Sequence, residues 1–312
     1  MPFAVRPRHV VQLLSLCVAM LVSIELVARY VLPRVSKIER RTAIEKQAAQ
    51  SLGGSARTPD HLLLLGNSLL EASILVDDLD KSLAPDWRAS RFVVESTGYA
   101  DWYFGLKNLL ENGARPSVVA LMLSPRQFVS NGIRGSYSAY HLFSTSDTLR
   151  AGARLGYGRT QSSDLLFSNL SAAYGVRYEI RNFFLKLAVP GVDKAVEVLK
   201  GTPQQASIQL PETAAATVGD QRLDELADLC KTHSVKCVFV FPPALGQVDA
   251  GTLELLRRAD ARGFESSRLR IDSSLLDSRD FQADRYHMGK EGAAKYTGLL
   301  LPRLRDVLSG VQ

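Results

Sequence analysis

Cysteine is scarce in this 312-residue sequence: Cys17 lies inside an apolar N-terminal run, and Cys230 and Cys237 stand seven positions apart across a predicted helix-to-strand turn. A bond between the last two requires an oxidising compartment, and two buried free thiols are the preferred expectation. The five histidines are isolated from one another and no Cys/His cluster has zinc spacing, so no metal and no cofactor is expected. No Lys/Arg cluster is interleaved with aromatics, which argues against nucleic acid as a partner. Collagen-like or disordered bias is missing, and so is any internal repeat. What remains is a globular chain, 46% hydrophobic and 22% charged, long enough for one large α/β domain plus an insertion. A net charge of +6 and a pI near 9.2 suit an anionic lipid or polymer surface, although the basic residues are scattered.

From Val10 to Leu32 the chain is mostly apolar. At 1.5 Å per residue that run is roughly 30 to 35 Å long, enough to cross a bilayer. Residues 1–33 therefore read as a single membrane anchor. No small-x-small cleavage site follows, which disfavours a removed signal peptide, and Leu16 before Cys17 disfavours a lipoprotein. Glu25 and Arg29 interrupt the run at an i, i+4 spacing near its far end, where they can pair and reach the interface. Residues 34–59 read as a stalk or linker. Within it, Ser36 to Leu52 forms a polar helix that Gly53-Gly54-Ser55 ends, and the globular domain occupies 60–312.

The chemistry centres on His61 to Ser73. Four leucines, Leu62 to Leu65, are too few for a helix but suit a strand covered on both faces. Gly66 permits a sharp turn at the strand's end, and Ser68 then stands at the carboxyl edge of the sheet, where open α/β sheets bind ligands. On this stretch alone, a Ser/Asn turn between strand and helix is the plainer reading. The second stretch is Phe281 to Tyr296. A serine hydroxyl needs an imidazole to take its proton, and the imidazole needs a third group to fix its tautomer. Asp284 and His287, three positions apart, can supply both on one turn, with Nε2 free for Ser68. Against this stands an ordinary exposed loop histidine. Asp272 is a rival partner for the imidazole, ranked lower because it is distant and can cap a turn.

Together, Gly66-Asn67-Ser68 and Asp284-Arg285-Tyr286-His287 resemble the SGNH/GDSL hydrolase superfamily, in which a strand ends in Gly-Asp-Ser and Asp-x-x-His precedes the final helix. The resemblance spans about Leu62 to Val307. Within the superfamily, the D-alanyl transfer protein of teichoic acid modification and the alginate-type O-acetyltransferases are the nearest likeness. It implies a three-layer α/β/α fold with a central parallel, flavodoxin-like sheet. It also implies an O-acyltransferase or esterase acting on a cell-envelope polysaccharide, with a membrane-bound O-acyltransferase as partner and acyl source. A catalytically silent scaffold of an envelope polysaccharide complex stays open as the alternative. The resemblance places the domain on the periplasmic side of the inner membrane. Counted by charge alone, Arg29, Arg34, Lys37, Arg40 and Arg41 after the span outweigh Arg6 and Arg8 before it and favour the cytoplasm. Because Glu39 and Glu45 make the following segment mixed in charge, and because the resemblance implies an outside domain, the outside is the expectation taken.

By the same resemblance the Gly98 amide, in Ser96-Thr97-Gly98 after a second strand at 91–95, joins the Ser68 amide in holding the oxyanion; a plain turn glycine is the equal alternative. A helix at 101–112 and a third strand at 117–123 follow. Superfamily members usually carry Gly-x-Asn-Asp after this strand, whereas this chain has Ser124-Pro125-Arg126-Gln127 and no oxyanion asparagine. Arg126 or Ser124 is left to help, and the departure favours transfer over hydrolysis. Between about 130 and 219 the sheet rhythm stops. Tyr137, Tyr140 and His141 fall in a predicted loop, followed by helical apolar spacing over 165–187. Arg126 and Tyr140 are the substrate-binding candidates, although packing within the insertion is the preferred reading of the tyrosines. Residues 201–216 read as a loop. Helices at 221–231 and 252–261, strands at 237–241 and 269–271, and a final helix at 290–307 complete the expectation.

Overall fold

The computed structural model describes residues 7–53, 59–189, 191, 218–243, 245 and 248–310. The apolar N-terminus forms α1 (Pro7–Leu26), which runs through a π-helical turn, Val27–Val31, into α2 (Leu32–Val35). Among the described residues this helix, Arg8–Val35, is long and apolar enough to cross a membrane, and its most apolar window, mean hydropathy 2.3, buries nothing within the protein.

The Ser36 hydroxyl accepts the Glu39 amide and starts α3 (Lys37–Gln50). This helix is not the free-standing stalk expected for residues 34–59. It lies along the globular domain, where Glu45 accepts from Arg91 Nε and from the Val93 amide, both at 2.8 Å. Thr42 Oγ1 meets the Tyr137 hydroxyl at 3.3 Å, and Glu39 is buried beside His141. Buried carboxylates on a polar helix require partners, and here they come from segments 46 to more than 90 residues away, which is why the sequence read as a solvated rod.

The sheet is four-stranded and wholly parallel, in the order β2-β1-β3-β4. Its central strand, β1 (Asp60–Gly66), leads through Asn67 into α4 (Ser68–Ser73) and α5 (Val76–Leu83). Strand β2 (Trp87–Val93), α6 (Tyr99–Glu111) and β3 (Val118–Met122) follow. Leu62 to Leu65 expose no surface, and the alternation of a strand sends them to two cores. Leu63 and Leu65 pack with Trp102 and Leu109, whereas Leu62 and Leu64 pack with Leu79 and Leu300. Because the chain passes from β1 to β2 on one side and to β3 on the other, the carboxyl end of β1 is the topological switch point, and Ser68 stands there.

After α7 (Pro125–Val129), the insertion is helical: α8 (Ser136–His141), α9 (Thr145–Arg154), α10 (Arg159–Leu170), α11 (Ala172–Gly175) and α12 (Arg177–Ala188). Tyr137, Tyr140 and His141 are thus helical rather than in a loop. The loop expected at 201–216 lies outside the described residues. The chain returns through α13 (Asp220–Thr232), β4 (Lys236–Val240), α14 (Ala250–Asp260), the short α15 (Ser266–Leu269) and α16 (Lys290–Ser309).

Two expectations are corrected here. No fifth strand forms at 269–271: the Phe264 carbonyl takes the Phe239 amide on the free edge of β4 at 2.9 Å, and the chain then leaves that edge as α15. Cys230 and Cys237 are bonded rather than free, with their Cα atoms 6.2 Å apart. The turn after α13, closed by the Val235 amide on the Cys230 carbonyl, folds β4 back beside the helix end and brings the two side chains together.

Candidate active site

Asn67 decides how Ser68 is presented. Its side chain, without exposed surface, caps α4 by accepting the Leu69 amide at 3.0 Å and donates from Nδ2 to the Thr97 carbonyl at 2.9 Å. One side chain thus ends β1, starts the helix and ties both to the loop after β2. An aspartate also caps, but it has no proton for the Thr97 carbonyl. The asparagine supplies both bonds at once. Gly66 is still extended strand rather than the turn expected from sequence. It must be glycine because a Cβ there would stand 2.7 Å from the Met122 carbonyl oxygen.

The imidazole arrives from 219 residues away: Ser68 Oγ lies 2.9 Å from His287 Nε2, and His287 Nδ1 lies 2.6 Å from Asp284 Oδ2. The other carboxylate oxygen accepts the Tyr286 and His287 amides at 2.9 and 3.0 Å. Arg285 between them takes a left-handed backbone, φ 56°, so that both amides converge on one carboxylate. Burial pushes the Asp284 carboxyl up, but the hydrogen bonds from His287 and from the two backbone amides outweigh it and hold the group below its ordinary value. Asp284 and His287 are each about a quarter exposed at the side chain, 27%, so a reactant can reach them. The expected rival, Asp272, caps its own turn through the Ser274 amide at 2.8 Å.

This loop is pinned from both ends. The Gln282 amide donates to the His287 carbonyl at 2.8 Å, and the Gly289 amide donates to the Asp280 carbonyl at 2.8 Å. The Gln282 side chain donates to the Met288 carbonyl at 2.9 Å. Helix α16 starts so close beneath that a Cβ on Gly292 would fall 2.0 Å from the Asp280 carbonyl oxygen.

The remaining sequence candidates are placed less simply. As the first residue of α4, Ser68 has a backbone N–H with no intrahelical acceptor. The Gly98 amide, its expected partner at the oxyanion, is instead committed: it donates to Asp101 Oδ2 at 2.8 Å. Asp101 also accepts the Arg134 amide at 3.0 Å, and burial pushes its carboxyl up to about 6. The expected helix at 101–112 starts two residues earlier, at Tyr99, so Asp101 sits in the first turn of α6 and reaches back to claim the glycine. Arg126 is exposed on α7, and burial raises the phenol of Tyr286, the neighbour of His287 in the chain, against the opposing pull of a Ser124 hydrogen bond and the Arg126 charge. Tyr140 does not belong with these residues. It packs against Gly175 of α11 and stands edge-on to His141 with ring centres 4.7 Å apart, in range of Arg29 and Glu25 of the long helix.

Sequence reasoning missed a charged network beside the serine helix. Arg41 of α3 binds both Glu71, one turn after Ser68, and Glu95. Arg134 bridges Glu95 and Glu179, each at 3.1 Å. The partners are too far apart in sequence to pair by spacing, although Glu71 on the outer side of the Ser68 turn was visible. No protein-family model matches the chain, and no curated protein matches it.

Proposed function

We propose that the protein is a membrane-anchored, SGNH-like serine O-acyltransferase or esterase whose nucleophile is Ser68 and whose substrate is a cell-envelope or exported polysaccharide. The observation that carries this reading is the continuous relay from Ser68 Oγ through His287 to Asp284, with links of 2.9 and 2.6 Å. His287 Nε2 takes the Ser68 proton as Oγ attacks an acyl carbonyl, and Asp284 holds Nδ1–H and steadies the imidazolium. The oxyanion forms beside the Ser68 amide. On collapse the leaving oxygen takes the proton from Nε2 and the acyl group stays on Ser68. In the second half His287 deprotonates the acceptor, a sugar hydroxyl in transfer or water in hydrolysis; the acceptor oxygen bonds the acyl carbon, the bond to Ser68 Oγ breaks, and Nε2 returns the proton to Oγ.

An anchor before the domain and a Cys230–Cys237 bond support the extracytoplasmic side of the inner membrane, since disulfides persist in oxidising compartments. Helices on a parallel sheet agree with the three-layer α/β/α superfamily fold. The acyl donor is assigned to a membrane-bound O-acyltransferase partner, and no cofactor is invoked. One observation favours a second reading, a catalytically silent scaffold: the Gly98 amide is held by Asp101, and no asparagine stands after β3 to replace it.

A serine-reactive fluorophosphonate probe separates the two. Labelling of the wild type that vanishes in Ser68→Ala supports the enzyme, and an unlabelled wild type supports the scaffold. A reporter active only outside the cytoplasm, fused at Gln312, should be active; silence overturns the topology.

A further inference from the structure

The insertion is attached to the anchor at a definite depth. The Glu25 carboxylate accepts from Ser171 Oγ at 2.8 Å and from the Ala172 and Ala173 amides at 2.9 and 3.0 Å, capping α11 from another segment. Arg29 pairs with Glu25 at 2.6 Å and donates to the Leu170 carbonyl at 3.3 Å. Glu25 is seventeen residues into the span that starts at Arg8, about 25 Å along a helix. A hydrocarbon layer of about 30 Å therefore ends close to where α11 is bound.

Beside that attachment the insertion shows side chains that water does not favour. Phe167 is 59% exposed, Leu170 56% and Tyr178 52%. Phe167 and Tyr174 stand edge to face with ring centres 6.2 Å apart, so α10 and α11 share one patch. It continues along α12, where Tyr178 and Leu185 lie seven residues apart on one stripe with Arg181 between them. The Arg177 guanidinium lies over the Tyr174 ring at 4.1 Å, and Arg181 lies over Tyr178 at 5.2 Å. Tyrosines backed by arginines and flanked by Phe and Leu are the composition of a membrane-interface belt, with apolar bodies in the acyl boundary and charged tips among headgroups.

The geometry points to a second membrane contact: the face of α10 to α12 carrying Phe167, Leu170, Tyr174 and Tyr178 lies in the interface of the same bilayer that the anchor crosses. This inference rests on the reading of Arg8–Val35 as membrane-spanning. Its consequence is that the catalytic domain does not swing on a stalk. With α3 docked on the sheet edge and α11 capped by Glu25, Ser68 is held at a fixed height above the lipid.

The test uses the full chain in nanodiscs of phosphatidylcholine and phosphatidylglycerol, with an environment-sensitive fluorophore on single thiols. Cys17 serves as the anchor position, and Phe167→Cys and Tyr178→Cys in a Cys17→Ser background report the patch. Expected are quenching of the Cys17 label by lipids brominated deep in the chain, and a blue-shifted emission at 167 and 178 quenched by lipids brominated near the headgroup. A quenched Cys17 label with water-like, unquenched labels at 167 and 178 overturns the second contact and leaves the anchor standing. Labels at 167 and 178 that are shielded yet unquenched assign the face to a protein partner or a second copy and overturn it equally. An unquenched Cys17 label removes the anchor, and the inference with it.

Discussion

Asp284→Asn isolates the carboxylate's part in the relay because the structure shows what the asparagine keeps. Its Oδ1 can still accept the Tyr286 and His287 amides now bound at 2.9 and 3.0 Å, so the turn and the left-handed Arg285 survive. The Nδ2 amide then occupies the place of Oδ2, 2.6 Å from His287 Nδ1, and a donor there forces Nδ1 to accept. The remaining imidazole proton moves to Nε2 and points at Ser68 Oγ, so the base is occupied before the reaction begins. Inverting the tautomer in this way costs on the order of 10⁴-fold in serine acyl transfer, about 5.5 kcal/mol at 1.36 kcal/mol per tenfold. The assay is the second-order rate of fluorophosphonate labelling, with His287→Ala as the floor and thermal unfolding as the control for folding. Labelling of a folded Asp284→Asn protein at the wild-type rate would refute the assignment of Asp284 to His287.

Other substitutions test the supports. Asn67→Asp keeps the cap on Leu69 but sets a buried carboxylate against the Thr97 carbonyl; the unmade bond costs about 1 to 3 kcal/mol, read as a lower unfolding midpoint, and an unchanged midpoint contradicts it. Gly292→Ala drives a Cβ to 2.0 Å from the Asp280 carbonyl oxygen, so the loop bearing Asp284 and His287 must shift; labelling should fall even where the protein stays folded, and an unaltered rate argues against this packing. Asp101 predicts a pH effect: burial raises its folded value from 3.8 to about 6, so the stability its protonated form contributes is full below pH 3.8 and is lost as pH rises through 6. The difference is about 3 kcal/mol. Comparison of wild type with Asp101→Asn between pH 4 and 7 should show the wild type losing most of that amount, and a flat difference is the contrary result.

Local patterns were legible where the cause was local. Four leucines made β1 visible, Gly66-Asn67-Ser68 marked its end, and Asp284 and His287 are close enough in sequence to pair on any turn. What sequence could not show depends on distant partners. Helix α3 looked like a stalk because Arg91, Tyr137 and His141, which offset its buried Glu39, Thr42 and Glu45, lie far along the chain. Gly98 was identified, but not the Asp101 carboxylate that takes its amide. The Cys230–Cys237 bond depends on how tightly the chain turns after α13, which spacing alone does not set. Tyr140 was grouped with the reactive residues by chemical type, and the structure puts it against α11 instead.

Whether Ser68 carries an acyl group is the most direct measurement. Mixing the protein with an activated nitrophenyl ester and quenching with acid should show a burst of nitrophenol close to one per protein, with the acyl group mapped by mass spectrometry to Ser68. A steady release without a burst, or an acyl group on any other residue, contradicts the role given to this serine.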